Sequence, residues 1–316
     1  MITDPLFILG FVGMTICLFA WIKFNLASNQ AESFVLKYIS FISSISGLAI
    51  LMSIFYNSGD LGIILLFGSI VSFFIMVLGY YLKNDEIAKT SRGYFLPIFI
   101  IFVVRTFLYE PYQIPSGSME PQLKKGDFLL VNKFAYGIKV NRIGMPSFLK
   151  SDPEYGDPVV IIPPHNPVPY IKRLIGKPGD VIRITNKQLF VNGKLLEREY
   201  IDSEDIILQR RFKYSPDGEV FTKEIEAKGE LYYEYHGESK YIIRTTEGEN
   251  QQYPQEWKVP NGHYFVMGDN RDNSNDSTKD VGFVPRENFF GRADYIWMTW
   301  ECWACLPSFK KVGRVN

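Results

Sequence analysis

Ser118 and Lys172 are the residues of this chain best suited to chemistry. Ser118 lies in Pro115-Ser116-Gly117-Ser118-Met119, a few residues after a long apolar stretch, and Lys172 follows in Tyr170-Ile171-Lys172-Arg173. A serine hydroxyl attacks a carbonyl only when a neighbouring base takes its proton. A neutral amine can serve, yet free lysine titrates at about 10.4. Poising it near neutrality requires a lowering of roughly 3, or ~4 kcal/mol of preference for the uncharged form, which burial in an apolar site supplies. Lys172 has suitable flanks in Tyr170, Ile171, Leu174 and Ile175. Taken singly, each residue has a plainer reading, Lys172 as a solvent-facing strand lysine and Ser118 as a turn residue. Taken together they suggest a hydrolase that works without histidine, at a membrane surface.

Other chemistries find little support. The three histidines, His165, His236 and His263, are scattered without metal-ligand spacing, so neither a zinc peptidase nor any other metal site is expected. There is no phosphate-binding loop and no dinucleotide fingerprint, and no cofactor is expected. The apolar runs hold no aspartate, since Asp4 and Asp60 lie only at their edges, which disfavours an intramembrane aspartyl protease. No serine sits in a G-x-S-x-G elbow. The S-x-x-K runs Ser147–Lys150 and Ser308–Lys311 lack S-D-N and K-T-G companions, so a penicillin-binding reading fails. Cys302 and Cys305 form one C-x-x-C with no βαβ context to favour a redox role, which leaves open two readings, a local disulfide or a pair of idle thiols. With 34 basic and 34 acidic residues among 316, nothing points to nucleic acid.

The elements that must position Ser118 and Lys172 divide sharply. Residues 1–110 are mostly apolar, and almost all the charge falls after 120. Four uncharged or nearly uncharged runs reach the ~20 residues a bilayer crossing takes: Pro5–Ile22, Tyr38–Gly59, Leu61–Leu82 and Gly93–Tyr109. The corresponding helices are expected near 5–24, 36–58, 61–82 and 93–109. A cleaved leader is the weaker reading of the first, which has no basic residue ahead of it. Arg105 is placed at the exit interface, where its stem can snorkel. Lys23 and Lys37 flank the first connection and Lys83, Lys89 and Arg92 the third, whereas Asn57–Asp60 and the N-terminal tail carry no basic residue. The first and third loops are therefore expected in the cytoplasm, with the N-terminus and everything after 110 outside.

Beyond 120 the chain reads as short strands between Gly, Pro and Asn turns. These are Asp127–Lys133, Pro158–Ile162, Tyr170–Ile175, Val181–Thr185, Gln188–Val191, Lys194–Leu196, Tyr241–Thr245, His263–Met267 and Tyr295–Trp300, with Asn192-Gly193 as a hairpin turn. Residues 197–235 are charged with little periodicity and read as a variable excursion. The expected organisation is a membrane anchor over 1–110 and a mainly β domain over 111–316.

Tyr109–Met119 resembles the nucleophile box of bacterial type I signal peptidases of the Gram-negative kind. The likeness continues through Gly126-Asp127, Lys133–Gly137, Tyr170–Asp180, Gly268–Ser274 with Asp276-Ser277, and Gly282–Pro285. The resemblance implies an antiparallel β-sheet or barrel fold of the signal-peptidase type on transmembrane helices. It implies Ser118 as acylating nucleophile, Lys172 as general base and the Ser116 hydroxyl as an oxyanion donor beside the Ser118 N–H. Ser274 would orient the lysine, Asp269 would pair with Arg173, and Asp276 would brace the site. Ile114, Pro115, Met119, Leu123, Tyr170 and Ile171 would line shallow pockets for small residues of an A-x-A-like substrate.

The function so implied is removal of signal peptides from exported preproteins at the outer face of the bacterial cytoplasmic membrane. The implied partners are preproteins, membrane lipid and, by proximity, the export translocon. The rivals are an inactive relative acting as an export assembly factor, and a Ser-His membrane esterase. Two features depart from the family pattern. One is the added pair of crossings within 38–82; the other is Thr278 where a basic partner of Asp276 is expected, with Lys279 as its candidate substitute.

Overall fold

The computed structural model describes residues 4–27, 33–56, 61–137, 151–166, 168–213, 220–247, 255–302 and 304–315. The 57–60 connection, the Ser147–Lys150 motif and residues 214–219 of the charged excursion lie outside the described residues. The chain forms two compact units, Met1–Thr106 and Phe107–Asn316. The expected anchor boundary at 110 falls inside the first strand.

The first unit consists of α1 (Pro5–Leu26), α2 (Ser33–Tyr56), α3 (Leu61–Tyr81) and α4 (Asp85–Val103). All four are long and apolar enough to cross a membrane. Their outward residues include Leu9, Phe19, Phe41 and Phe74, each more than 60% exposed, a surface suited to lipid rather than water. The fourth helix corrects the expected start at Gly93. It begins at Asp85 because the Asn84 side chain accepts from the Ile87 N–H at 3.1 Å, and Asp85 and Glu86 then sit favourably at the positive helix end. Polar contacts set the order of the helix ends. The Ser53 hydroxyl donates to Asp4, joining the start of α1 to the last turns of α2. Asn84 Nδ2 donates to the Asn25 carbonyl at 2.8 Å, which brings the basic residues Lys23 and Lys83 to one end of the bundle.

Among the described residues the second unit has fifteen strands. They are β1 (Tyr109–Gln113), β2 (Asp127–Asn132), β3 (Pro158–Ile161), β4 (Tyr170–Gly176), β5 (Val181–Thr185), β6 (Gln188–Val191), β7 (Lys194–Leu195) and β8 (Arg198–Lys213). After these come β9 (Val220–His236), β10 (Ser239–Thr246), β11 (Gln255–Lys258), β12 (His263–Met267), β13 (Val284–Pro285), β14 (Phe289–Thr299) and β15 (Gly313–Arg314). The main sheet runs β1-β2-β14-β3-β4-β12-β13, with β15 on β14, and its named pairs are antiparallel. Bulges in β14 and, opposite β12, in β4 shift its register and curl it. Gly291 lets β14 cross β2 closely, since a Cβ there would stand 2.6 Å from the Asn132 carbonyl oxygen. A four-stranded sheet, β11-β5-β6-β7, and a three-stranded ribbon, β10-β9-β8, complete the unit.

The charged excursion over 197–235, in which no strand was expected, is formed largely by this ribbon. β8 and β9 are long paired strands, and β9 pairs in turn with β10. Charged residues occupy both faces of these strands, so the two-residue alternation that marks a half-buried strand is missing from the sequence. Cys302 and Cys305 are joined as a disulfide, with Cα atoms 5.1 Å apart. Of the two readings left open for the pair, the bonded one holds.

Candidate active site

The segment carrying Ser118 is anchored from below. Ile114 accepts from Gly126 and donates to Asp127 through its backbone, at 2.9 and 2.8 Å. A turn then begins at Ser118, with the Leu123 N–H donating to the Met119 carbonyl at 3.0 Å. Met119 and Leu123, four residues apart, both enter a core cluster with Ile114, Leu129, Ala293, Ile296 and Val315. The burial of these two side chains leaves Ser118 at the rim. Met119 and Leu123 are 0% exposed and Ile114 4%, so these three expected pocket residues lie beneath the surface around the serine. Pro115 is exposed and Tyr170 and Ile171 are half-buried, so these three retain surface beside the serine.

Lys172 comes from the middle of β4, opposite Val159 of β3. Its amine lies 2.7 Å from Ser118 Oγ, and the side chain is buried. The ring of Tyr170 covers it at 5.5 Å. Among the described residues no carboxylate comes within ion-pair distance of the amine. Burial therefore lowers Lys172 from 10.5 to about 8, against the weaker opposing pull of Asp276 and Asp269. Ser116 is exposed, with its hydroxyl 3.4 Å from Ser118 Oγ. None of the three histidines bonds Ser118: His236 stacks on Tyr155 at 4.4 Å, and His263 Nδ1 lies by the Asn261 carbonyl. Among the described residues no cluster of three metal-ligating side chains occurs.

The strand pleat turns the next residue, Arg173, away from Lys172. Its guanidinium meets Asp269 in a two-pronged pair at 3.0 and 2.6 Å, fully buried on both sides. Further bonds reach the Gly156 carbonyl at 2.7 Å and the Gln122 side chain at 3.0 Å, and the Tyr241 ring lies 4.2 Å away. The expected pairing of Arg173 with Asp269 is thus present as geometry. It ties β4 to the 268–276 loop.

Two expectations about that loop change. Asp276 is buried, and its carboxylate accepts from the Gly268 N–H at 2.9 Å and from the Thr278 hydroxyl and N–H at 2.7 and 3.1 Å. Thr278 takes the place of a basic partner. Lys279 does not: its amine donates to the Ser274 carbonyl at 2.7 Å. Ser274 is buried within the site, but its hydroxyl makes no hydrogen bond among the described residues, so the expected bond to the Lys172 amine is not formed. Gly268 explains the crowding there, because a Cβ on it would stand 2.5 Å from the Ser118 carbonyl oxygen and also collide with Ser274.

Asn270 was missed as a site residue. Its side-chain amide donates to the Gly117 carbonyl at 3.0 Å and its N–H to the Ser118 carbonyl at 3.2 Å. The loop therefore grips the peptide units on both sides of the nucleophile position. The polar run Asn270–Asn275 is a signal for a turn, but nothing in it names the carbonyls that will be gripped.

Comparison with known proteins identifies the family. A sequence profile of the family described as signal peptidase, peptidase S26, matches residues 87–300. The match takes in α4 and the strands around Ser118, Lys172 and Asp269, and leaves α1 to α3 outside. A signal peptidase I of Pseudomonas fluorescens is 41% identical over 248 residues, covering 74% of this chain and 81% of that protein. A signal peptidase I of Pseudomonas aeruginosa is 40% identical, with the same coverage. A crystal structure of a signal peptidase I from Enterococcus faecalis V583 is 26% identical, covers 45% of this chain and 97% of that one, and has a TM-score of 0.25. On the family profile and the two Pseudomonas relatives, this chain belongs to the signal peptidase family, peptidase S26.

Proposed function

We propose that this peptidase cleaves signal peptides with Ser118 as nucleophile and Lys172 as general base, without histidine or metal. The observation that carries the reading is a buried amine 2.7 Å from a serine hydroxyl, with no carboxylate among the described residues within ion-pair distance to hold its proton. Ser118 Oγ attacks the scissile carbonyl carbon while its proton passes to Lys172. The tetrahedral oxyanion takes hydrogen bonds from the Ser116 hydroxyl and the Ser118 N–H. Collapse breaks the C–N bond, and the proton on Lys172 goes to the departing amine. Water then attacks the ester, again giving a proton to Lys172; the C–O bond to Ser118 breaks, the new carboxyl group leaves, and Lys172 returns the proton to Ser118 Oγ.

Specificity for small residues before the cut is assigned to Pro115, Tyr170 and Ile171, which keep surface beside Ser118. An extended substrate would bind through backbone hydrogen bonds to the sheet. The helices anchor the protein in the bacterial inner membrane as a multi-pass span, with the basic end carrying Lys23 and Lys83 in the cytoplasm and the peptidase unit outside. Exported preproteins are then the partners, met at the lipid surface close to the translocon. An inactive assembly factor is not favoured, since it has no chemical need for the Ser118–Lys172 contact.

The test is cleavage of a preprotein with an A-x-A site by purified wild type, Ser118→Ala and Lys172→Ala. Both variants are expected to remain folded and inactive, while a variant lacking all three histidines keeps turnover. Substantial activity in either alanine variant defeats the mechanism. For topology, a reporter fused after Asp60 is expected to read external and one after Lys89 cytoplasmic.

A further inference from the structure

The ribbon of β8, β9 and β10 takes no part in the mechanism above, yet one of its residues reaches the nucleophile turn. Arg244 of β10 is buried, with its guanidinium held between two carboxylates. Nη2 lies 2.7 Å from Glu120 Oε2 and Nη1 lies 2.9 Å from Glu204 Oε1. Glu120 follows Ser118 by two residues, and its N–H donates to the Gly117 carbonyl at 3.1 Å. Its carboxylate lies against the Gly117 backbone, where an added Cβ would meet it at 3.0 Å.

The backbone of the same arginine holds the opposite side of the site. The Arg244 N–H donates to the Asp269 carbonyl at 2.9 Å, and the Arg244 carbonyl accepts from the Arg271 N–H at 2.9 Å. These two bonds bracket Asn270, the residue that grips the carbonyls of Gly117 and Ser118. Arg244 therefore touches both arms of the site, the turn through its side chain and the loop through its backbone. Exposed ion pairs contribute little. Arg244 is desolvated, however, and removing it leaves the Glu120 and Glu204 carboxylates facing each other without their shared cation.

We propose that Arg244, through Glu120, is a positioning residue for hydrolysis. The pair holds the 118–122 turn so that Ser118 Oγ stays within reach of Lys172, and through it the ribbon serves catalysis. The inference rests on the Ser118–Lys172 reading. If the pair were merely structural, its loss would lower stability and leave the turnover of folded protein unchanged.

The experiment uses full-length protein in detergent and a preprotein substrate, with kcat, KM and thermal unfolding measured together. Glu120→Gln and Arg244→Gln are each expected to lower kcat by about tenfold or more with KM within about twofold, and the double variant to lose no more than the worse single one. Glu204→Gln leaves the Glu120 pair standing and is expected within about twofold of wild type. Glu120 is partly exposed, so its glutamine variant reads the effect even if Arg244→Gln folds poorly. Unchanged kcat in Glu120→Gln, or losses that multiply in the double variant, would overturn the proposal. Ser118→Ala in the same assay separates the two readings: activity there defeats the dyad, whereas an inactive Ser118→Ala beside a fully active Glu120→Gln defeats only the role of Arg244.

Discussion

The proton on Lys172 offers the most direct quantitative test. Burial lowers the amine from 10.5 to about 8. At pH 7 an amine titrating at 8 is neutral in roughly one molecule in ten, and at 10.5 in roughly one in 3,000. Burial thus raises the competent fraction by a factor on the order of 300. The pH profile of kcat/KM, which reports the free enzyme, is expected to climb about tenfold per pH unit below ~7 and to level off above ~9. A bound peptide excludes more water, so the rising limb of kcat is expected at the same or lower pH. The same proton has a sign in stability. The folded value is depressed, so the unfolded chain binds more protons between about 8 and 10.5, and stability rises with pH across that window. Below it the cost is complete, on the order of 3 kcal/mol. Lys172→Met, similar in shape and uncharged, is therefore expected to be inactive yet more stable at pH 7 by up to that amount, with the gain fading as pH rises to 10.5. Rate profiles of the wild type and thermal unfolding of both proteins between pH 6 and 10 are the assays. A profile flat across the range, or one inflecting near 10, would refute the reasoning.

Three further outcomes follow from the site. Asp276 is the larger of the two charges that pull Lys172 upward, so Asp276→Asn is expected to move the rising limb to lower pH, read from the same kcat/KM profile. Arg173→Met strands the Asp269 carboxylate in the core and is expected to cost ~3–5 kcal/mol, seen as a large fall in the unfolding midpoint. Gly268→Ala must push the Ser118 carbonyl aside, and a displacement approaching 1 Å is expected to cost kcat on the order of a hundredfold with modest change in KM.

Several elements were legible in the sequence for clear reasons. Apolar runs of bilayer length are visible because hydropathy adds along a single helix, and all four are helices in the structure. Strands such as Val181–Thr185 and His263–Met267 were found within a residue, since Gly, Pro and Asn turns bound them. The start of α4 was not found, because a capping asparagine and a charged first turn extend the helix ahead of its apolar part. The ribbon was not found either, because its charged strands are stabilised by pairing with one another rather than by one buried face.

The sequence alone determined which groups were available: a serine beyond an apolar stretch, a lysine among apolar neighbours, and a polar loop rich in Asp and Asn. Side-chain chemistry and local periodicity are properties of short segments, and they survive without the fold. Only the tertiary structure decided that β4 and the 118–122 turn bring Lys172 Nζ to 2.7 Å from Ser118, that Met119 and Leu123 lie beneath the turn, and that Thr278 rather than Lys279 satisfies Asp276. Desolvation and hydrogen-bond partners depend on segments far apart in the chain. The lowering of Lys172 and the grip of Asn270 and Arg244 on the nucleophile turn therefore exist only once the sheet has closed around them.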